Sequence, residues 1–511
     1  MKKVYALIIC VCIYMLFIIA CKENNKPTIE QDFCSNIHRN DSTSLSKELD
    51  SLADLIKNKT GVYVLEDGGT SMVARAWLSE YAEKTIDIQY FIFSTDNVGL
   101  IACDYIVRAA DRGVKVRILV DDIMVEASGK ELLTMDAHPN IEIKVYNPGV
   151  NVGKNIFSKL KKYTTDFRNA NQRMHNKTFI VDEKITITGG RNIADEYFDY
   201  DHEYNFRDRD VLLLGKVVGQ VENSFELFWN NKLSVDVKNL IDSDSEKFDS
   251  SIYHKLHQYA CNPMNFWPQV RERIQKLPEA FKQINHSGEL VWMDSVFFVS
   301  DTPGKNNGTH GLQGGGITTD TLIYLIKNAK KSIEIQSPYL ITTEKSESIL
   351  KAAVDRGVQV RILTNSLAST DNLEAFSGYQ KGRKRLLKTG VKIYEFRPDA
   401  AERYKIMTGA LQEKIKYTPI FGLHAKTMVI DGYITVIGTF NFDPRSANLN
   451  TECVTIIYST EIAAGVLKGM EMEFKPENAW QTTLDWNPDS HVSIKKRIKT
   501  YTRKLVPKNI L

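Results

Sequence analysis

Two stretches of this 511-residue chain carry the same reactive side chains in the same order. The first, RMHNKTFIVDEKITITGGRN at 173–192, holds His175, Lys177, Asp182, Gly189 and Asn192. The second, GLHAKTMVIDGYITVIGTFN at 422–441, holds His424, Lys426, Asp431, Gly438 and Asn441, a constant displacement of 249 positions (424 less 175). Imidazole is both a nucleophile and a proton carrier near neutrality. Lysine and asparagine donors suit an anion with spread charge, which is a phosphoryl group. A lysine ammonium beside each imidazole repels a metal cation, so no zinc or two-metal centre is expected, and phosphoryl transfer through histidine requires no cofactor. Two histidines on opposite sides of a phosphodiester can divide the work. One attacks phosphorus and becomes phosphohistidine; the other protonates the leaving alcohol and then activates the second acceptor. Each copy is therefore expected to supply half of one catalytic centre.

Positioning these groups needs strands. The β-branched alternation of HNKTFIV and HAKTMVI predicts them, and residues two apart on a strand share a face, about 7 Å along it. His175 then points with Lys177, and His424 with Lys426. Gly189–Gly190 and Gly438 are expected to turn the chain so that Asn192 and Asn441 return to the site. The repeat is longer than the motif. EKTIDIQYFIF (83–93) answers KKSIEIQSPYL (330–340), and ADRGVKVRIL (110–119) answers VDRGVQVRIL (354–363). Apolar runs read as buried strands, and GLIACDYIVRAADRG reads as an amphipathic helix closed by glycine. Strand, helix, strand in repetition predicts an α/β fold of two pseudo-two-fold-related lobes, each a mixed, mostly parallel sheet flanked by helices.

These strings resemble the phospholipase D superfamily, and within it the C-type branch of the bacterial cardiolipin synthases. The likeness covers roughly 61–511, through stretches such as MHNKTFIVDEKITITGGRNIADEYF, RILTNSLASTDNLEAFSGYQKGRKRLL and LHAKTMVIDGYITVIGTFNFDPRSANLNTE. It implies catalytic roles for the motif residues His175, Lys177, Asp182, His424, Lys426 and Asp431, with His175 favoured as nucleophile. It implies phosphate binding by Lys177, Lys426, Asn192 and Asn441. Asp208, in RDRDV, and Glu452, in LNTE, match the acids that hold the histidines. Such acids fix the tautomer and stabilise imidazolium. Asp182 and Asp431 are read as pairing locally and supporting loops.

The termini suggest where the chain works. Lys2 and Lys3 precede an apolar run from Val4 to Ala20 that ends at Cys21. A basic n-region, a short apolar stretch and a small residue make a secretory signal, and IIAC resembles the lipobox in which Cys21 is lipidated. Domains are expected as signal 1–21, polar tether 22–60, N-terminal lobe 61–300 and C-terminal lobe 301–511. The expected place is a bacterial envelope membrane, with the bulk of the chain outside the cytoplasm. Lys22 after Cys21 leans towards the outer membrane. Cys34, Cys103, Cys261 and Cys453 are spaced too irregularly for a zinc site or a disulfide frame and read as buried apolar residues.

The final SIKKRIKTYTRKLVPKNIL has seven Lys or Arg in nineteen residues, with Ile494, Ile498, Tyr501 and Leu505 at helical spacing. This predicts an element that lies on anionic lipid; the alternative is a solvated helix packed on the domain. The basic KLKKYTTDFRNANQR before His175 attracts headgroups or is a mobile loop. GLQGGG (311–316) lacks the Lys-Ser/Thr of a phosphate loop. The net charge of +3 argues against a nucleic-acid partner. The resemblance implies membrane phospholipids as partners, phosphatidylglycerol or phosphatidylethanolamine as donor, and cardiolipin as product. The competing function is hydrolysis of a phospholipid, or of nucleic acid, with water as acceptor. With both half-sites on one chain, a monomer suffices.

Overall fold

The computed structural model describes residues 33–34, 44–149, 151–152, 171–241, 248–305, 313–407 and 419–507. Each half starts from the helix and strand that the DRGV repeat foretold. Asp96 accepts the Gly99 N–H to cap helix Asn97–Asp111, and the chain leaves it at Gly113 with φ +96° before entering strand Lys115–Asp121. In the second half Thr343 caps helix Glu344–Asp355, and Gly357 (φ +87°) leads into strand Gln359–Asn365. Only glycine enters that left-handed region without strain.

The first sheet has nine strands in the order Val291–Met293, Thr60–Leu65, Asp210–Gly215, Ile185–Gly189, Thr178–Val181, Thr85–Tyr90, Lys115–Asp121, Ile141–Tyr146, Ser234–Asp236. The second has eight, in the order Val296–Ser300, Cys453–Tyr458, Ile434–Gly438, Thr427–Ile430, Ser332–Gln336, Gln359–Asn365, Lys392–Phe396, Ala479–Thr482. The α/β two-lobe reading holds, but the sheets are not mostly parallel. Parallel pairing is confined to the three strands joined by helices in each lobe. Every other pair in the two sheets is antiparallel. The misjudgement has a physical source. Thr178–Val181 and Ile185–Gly189 are buried at every position, and a strand covered on both faces loses the alternation that marks antiparallel pairing.

The lobes share a core. Val218, Val221, Phe225 and Phe228 of helix Val218–Trp229 pack in one cluster with Ile462, Val466 and Met470 of helix Thr460–Glu473, between Leu213 of the first sheet and Val429 of the second. Separate clusters lie under the outer helices of each lobe. The outer helices of one lobe thus face away from those of the other, and the strand ends that carry the motifs meet at the middle layer.

Three expectations need correction. The segment 22–60 is not all tether: residues 45–58 are helical, and Leu45, Leu49 and Leu52 are buried in the first lobe's core. Strand Val296–Ser300 pairs with Cys453–Tyr458, so the second lobe begins before residue 301. Cys34 and Cys261 are not separate apolar residues but a disulfide across 227 positions, with Phe33 packed at a tilt against Phe266 beside it. The signal peptide with Cys21, and most of the basic stretch before His175, lie outside the described residues. Closing so long a loop constrains the unfolded chain, so Cys261→Ser should cost about 2–4 kcal/mol. Thermal melts with and without reductant check this, and reductant should not lower the variant's midpoint further.

Among the described residues no helix is long and apolar enough to cross a membrane. The C-terminal helix Ile494–Arg503 turns its polar side inward: Thr500 is buried, and Arg503 Nε meets Glu374 Oε1 at 2.6 Å. Its apolar stripe faces out, with Ile494 70%, Ile498 60%, Tyr501 70% and Leu505 89% exposed.

Candidate active site

The two motifs meet through backbone pairing between lobes. His175 N–H donates to Thr451 O at 3.0 Å and Thr451 N–H to Arg173 O at 2.9 Å. In the mirror position, strand Ile420–Leu423 pairs in parallel with Tyr204–Arg207, and His424 N–H donates to Arg207 O at 2.8 Å. The histidines therefore flank their strands rather than lie within them, since the first-lobe strand starts only at Thr178 and the second-lobe strand at Thr427. Close approach replaces side chains where the loops cross. A Cβ on Gly190 would sit 2.0 Å from Asp208 Oδ1, and one on Gly438 2.3 Å from Cys453 O.

This crossing gives each histidine an acid from the opposite lobe. His175 Nδ1 lies 2.8 Å from Glu452 Oε2, and His424 Nδ1 lies 2.5 Å from Asp208 Oδ2. A carboxylate only accepts, so each Nδ1 carries the proton and each Nε2 keeps its lone pair. Lys177 Nζ donates to His175 O at 2.9 Å, and Lys426 Nζ to His424 O at 2.5 Å. Lys426 Nζ is also 2.9 Å from His424 Nδ1. An ammonium and a protonated Nδ1 are both donors, so that contact is repulsive.

The electrostatics join the two halves. Burial pushes the His175 imidazole down to about 4, with the Glu452 carboxylate opposing and the Lys177 and Lys426 ammonium groups assisting. Burial and then Lys426 push His424 down to about 3, against Asp208 and with Lys177. Burial likewise lowers Lys177 to about 8 and Lys426 to about 7. Asp208 and Glu452 are held below the carboxylate range, against burial, by their histidines. Both lysines depress both histidines, so four groups from two lobes share one field.

The asparagines return to the site on crossed sides. Asn192 Oδ1 accepts the Ile92 N–H at 3.1 Å, and Asn192 hydrogen-bonds Tyr197, whose ring stands edge-on to His424 at 5.0 Å. Asn441 N–H donates to Ser446 Oγ at 3.2 Å, and Ser446 in turn holds Glu452. Among the described residues Asn441 Oδ1 is buried without a hydrogen-bond partner.

Asp182 and Asp431, grouped with the catalytic residues in the sequence, stand a strand's length away. Asp182 accepts the N–H groups of Glu83, Lys84 and Thr85 at 2.7–2.9 Å. Asp431 accepts those of Lys330, Lys331 and Ser332 at 2.6–3.0 Å. Each braces the start of its lobe's central strand. Residues without a sequence signal complete the walls. Phe91 stands edge-on to His175 and under Lys177 Nζ, and Phe206 packs on His424. Tyr339 donates to Asp371 at 2.7 Å. Among the described residues the cluster Cys34, Asp104, His257 and Cys261 has metal-ligand spacing, but its sulfurs are bonded to each other and offer no thiolate.

The family described as cardiolipin synthase, PLD-like domain, matches residues 78–229 and 322–473. The chain belongs to this family of the phospholipase D superfamily. It is 34% identical over 434 residues to cardiolipin synthase C of Escherichia coli strain K12, covering 83% of this chain and 87% of that one. It is 32% identical over 420 residues to an uncharacterised protein of Helicobacter pylori, covering 80% and 78%. Cardiolipin synthase 1 of Bacillus cereus is 26% identical over 454 residues, 88% of this chain and 73% of the relative. Among solved structures, the phosphatidylserine synthase of Haemophilus influenzae aligns with a TM-score of 0.56 at 14% identity, over 91% of this chain and all of the other. That likeness shows the fold.

Proposed function

We propose that this chain, a phospholipid phosphatidyltransferase by family, makes cardiolipin by moving a phosphatidyl group between two glycerophospholipids. His175 Nε2 attacks phosphorus as the bond to the donor's headgroup alcohol breaks, and protonated His424 gives that oxygen its proton. The acceptor lipid's hydroxyl then gives its proton to His424 while its oxygen attacks phosphorus, and His175 is released. With phosphatidylglycerol as donor and acceptor, glycerol leaves and cardiolipin results. Lys177, Lys426, Asn192 and Asn441 hold the phosphoryl oxygens. Burial first and the lysines second keep His424 neutral, and an anion seated between the lysines offsets their share, which favours imidazolium when substrate binds.

The observation that carries this proposal is the crossed pairing of each histidine with an acid of the other lobe. Purified protein incubated with phosphatidylglycerol, alone and mixed with phosphatidylethanolamine, is tested by mass spectrometry. Cardiolipin is the expected product; phosphatidic acid without cardiolipin would assign the site to hydrolysis.

We place the enzyme on an envelope membrane outside the cytoplasm, anchored through lipidated Cys21. The Cys34–Cys261 disulfide fits such an oxidising compartment. The outward apolar stripe of Ile494–Arg503 with its lysines and arginines suits an anionic bilayer. Lys496 of that helix donates to Ala368 O at 3.5 Å, in the segment that leads to Asp371. Truncation after residue 492 should weaken binding to phosphatidylglycerol vesicles at least tenfold, measured by sedimentation at two salt concentrations. Unchanged sedimentation would remove the membrane role of this helix.

A further inference from the structure

The duplicated lobes differ in the space between their first two helices. In the second lobe, helices Ile317–Asn328 and Glu344–Asp355 enclose a cavity of about 440 Å³. Its first-lobe counterpart, under Gly68–Tyr81 and Asn97–Asp111, shrinks to about 40 Å³ and is filled from Met72, Tyr90, Phe93 and Phe198. The larger cavity lies within the roughly 300–1,000 Å³ of ligand pockets. One side of it is apolar, with Ile323, Ile326, Ile349, Leu350, Phe440 and Phe442 among its residues, and polar groups such as Asp320, Thr343 and Lys345 line another part.

The cavity borders the catalytic loop. Phe440 and Phe442 flank Asn441, and the loop is stitched to the cavity's other side where Ile341 N–H donates to Phe442 O at 2.8 Å. We propose that this cavity takes one acyl chain of the phospholipid whose phosphate Asn441 holds, so that the second half-site reads chain length while the first does not. This rests on the phosphatidyltransferase proposal above. On the side made by isoleucine, leucine and phenylalanine a headgroup would leave its polar atoms unpaired, which costs free energy. A hydrocarbon chain gains there with each methylene buried.

Ile323 and Ile349 are half-buried wall residues, so Ile323→Trp and Ile349→Trp fill the cavity without opening the core. Both variants should lose about tenfold in kcat/KM for phosphatidylglycerol with sixteen-carbon chains, the effect of roughly two methylenes expelled. With six-carbon chains they should stay within twofold of the parent. Independently, phosphatidylglycerol bearing a diazirine on one acyl chain should label peptides from 317–328 or 344–355. Equal losses for both chain lengths, no loss in a folded variant, or label confined to other peptides would each overturn the proposal. If the parent enzyme turned over neither lipid, the phosphatidyltransferase proposal would fail, and the labelling pattern would still decide the cavity.

Discussion

His175→Ala and His424→Ala should each lower cardiolipin formation by at least about 10⁴-fold, and the double variant should fall little further. Groups that act as a unit are non-additive in this way, because removing either stops the same reaction. Independent sites in the two lobes would behave differently: each single variant would keep about half the activity. The crossed hydrogen bonds are why one unit is expected, since His175 is oriented by second-lobe Glu452 and His424 by first-lobe Asp208. The two variants should nonetheless separate in one assay. A phosphodiester donor with a nitrophenol leaving group needs no proton on departure. His424→Ala should therefore accumulate alkali-stable phosphoenzyme from it, and His175→Ala should form none. The reverse pattern would make His424 the nucleophile. Full turnover by either single variant would sink the shared centre.

Much of this centre was legible because its chemistry is local in sequence. His175 and Lys177 are two residues apart, as are His424 and Lys426, and the repeated strings tie both pairs to equivalent places in equivalent lobes. What sequence could not supply was the crossing. Glu452 is 277 positions from His175 and Asp208 is 216 from His424; the inter-lobe pairing of Arg173 and His175 with Thr451 makes the first two neighbours, and that of Tyr204–Arg207 with Ile420–Leu423 the second two. The resemblance named the two acids without saying which histidine each serves. Phe91, Tyr197 and Phe206 line the site as ordinary aromatics do, with no spacing to mark them.

The polar network beneath the site was equally hidden. Arg209 Nε meets Glu66 Oε1 at 2.9 Å, and its Nη1 donates to Gln336 at 2.6 Å and Thr427 at 2.9 Å across the lobes. Arg207 reaches Glu473 at 2.5 Å. Nothing in RDRDV marks its two arginines, whose burial between the lobes makes them the joint itself. The segment before residue 60 was misjudged for the opposite reason. Its many charges outweighed Leu45, Leu49 and Leu52, whose spacing of four and three is that of a helix face, and the remote Cys261 gave no hint of its partner.

The acids separate into two kinds, and substitution should tell them apart. Asp208→Asn keeps the size of the side chain but offers an amide that can donate to His424 Nδ1. The ring then carries its proton on Nε2, where a lone pair is needed to take the acceptor's proton. Loss of the carboxylate also removes the charge that stabilises imidazolium against Lys426 and Lys177. Such wrong-tautomer changes cost about 10³- to 10⁴-fold in kcat with KM nearly unchanged, and Glu452→Gln should do the same through His175. Asp182→Asn and Asp431→Asn are the counterpart. Each carboxylate accepts three backbone N–H groups at a strand start, and a single amide oxygen cannot replace both carboxylate oxygens. These two variants should melt earlier, by the roughly 1–3 kcal/mol of an unsatisfied N–H, while the folded enzyme keeps kcat within about threefold. If Asp182→Asn lost turnover as Asp208→Asn does without losing stability, the third residue of the motif would belong to the chemistry, and bracing the strand would not explain its place there.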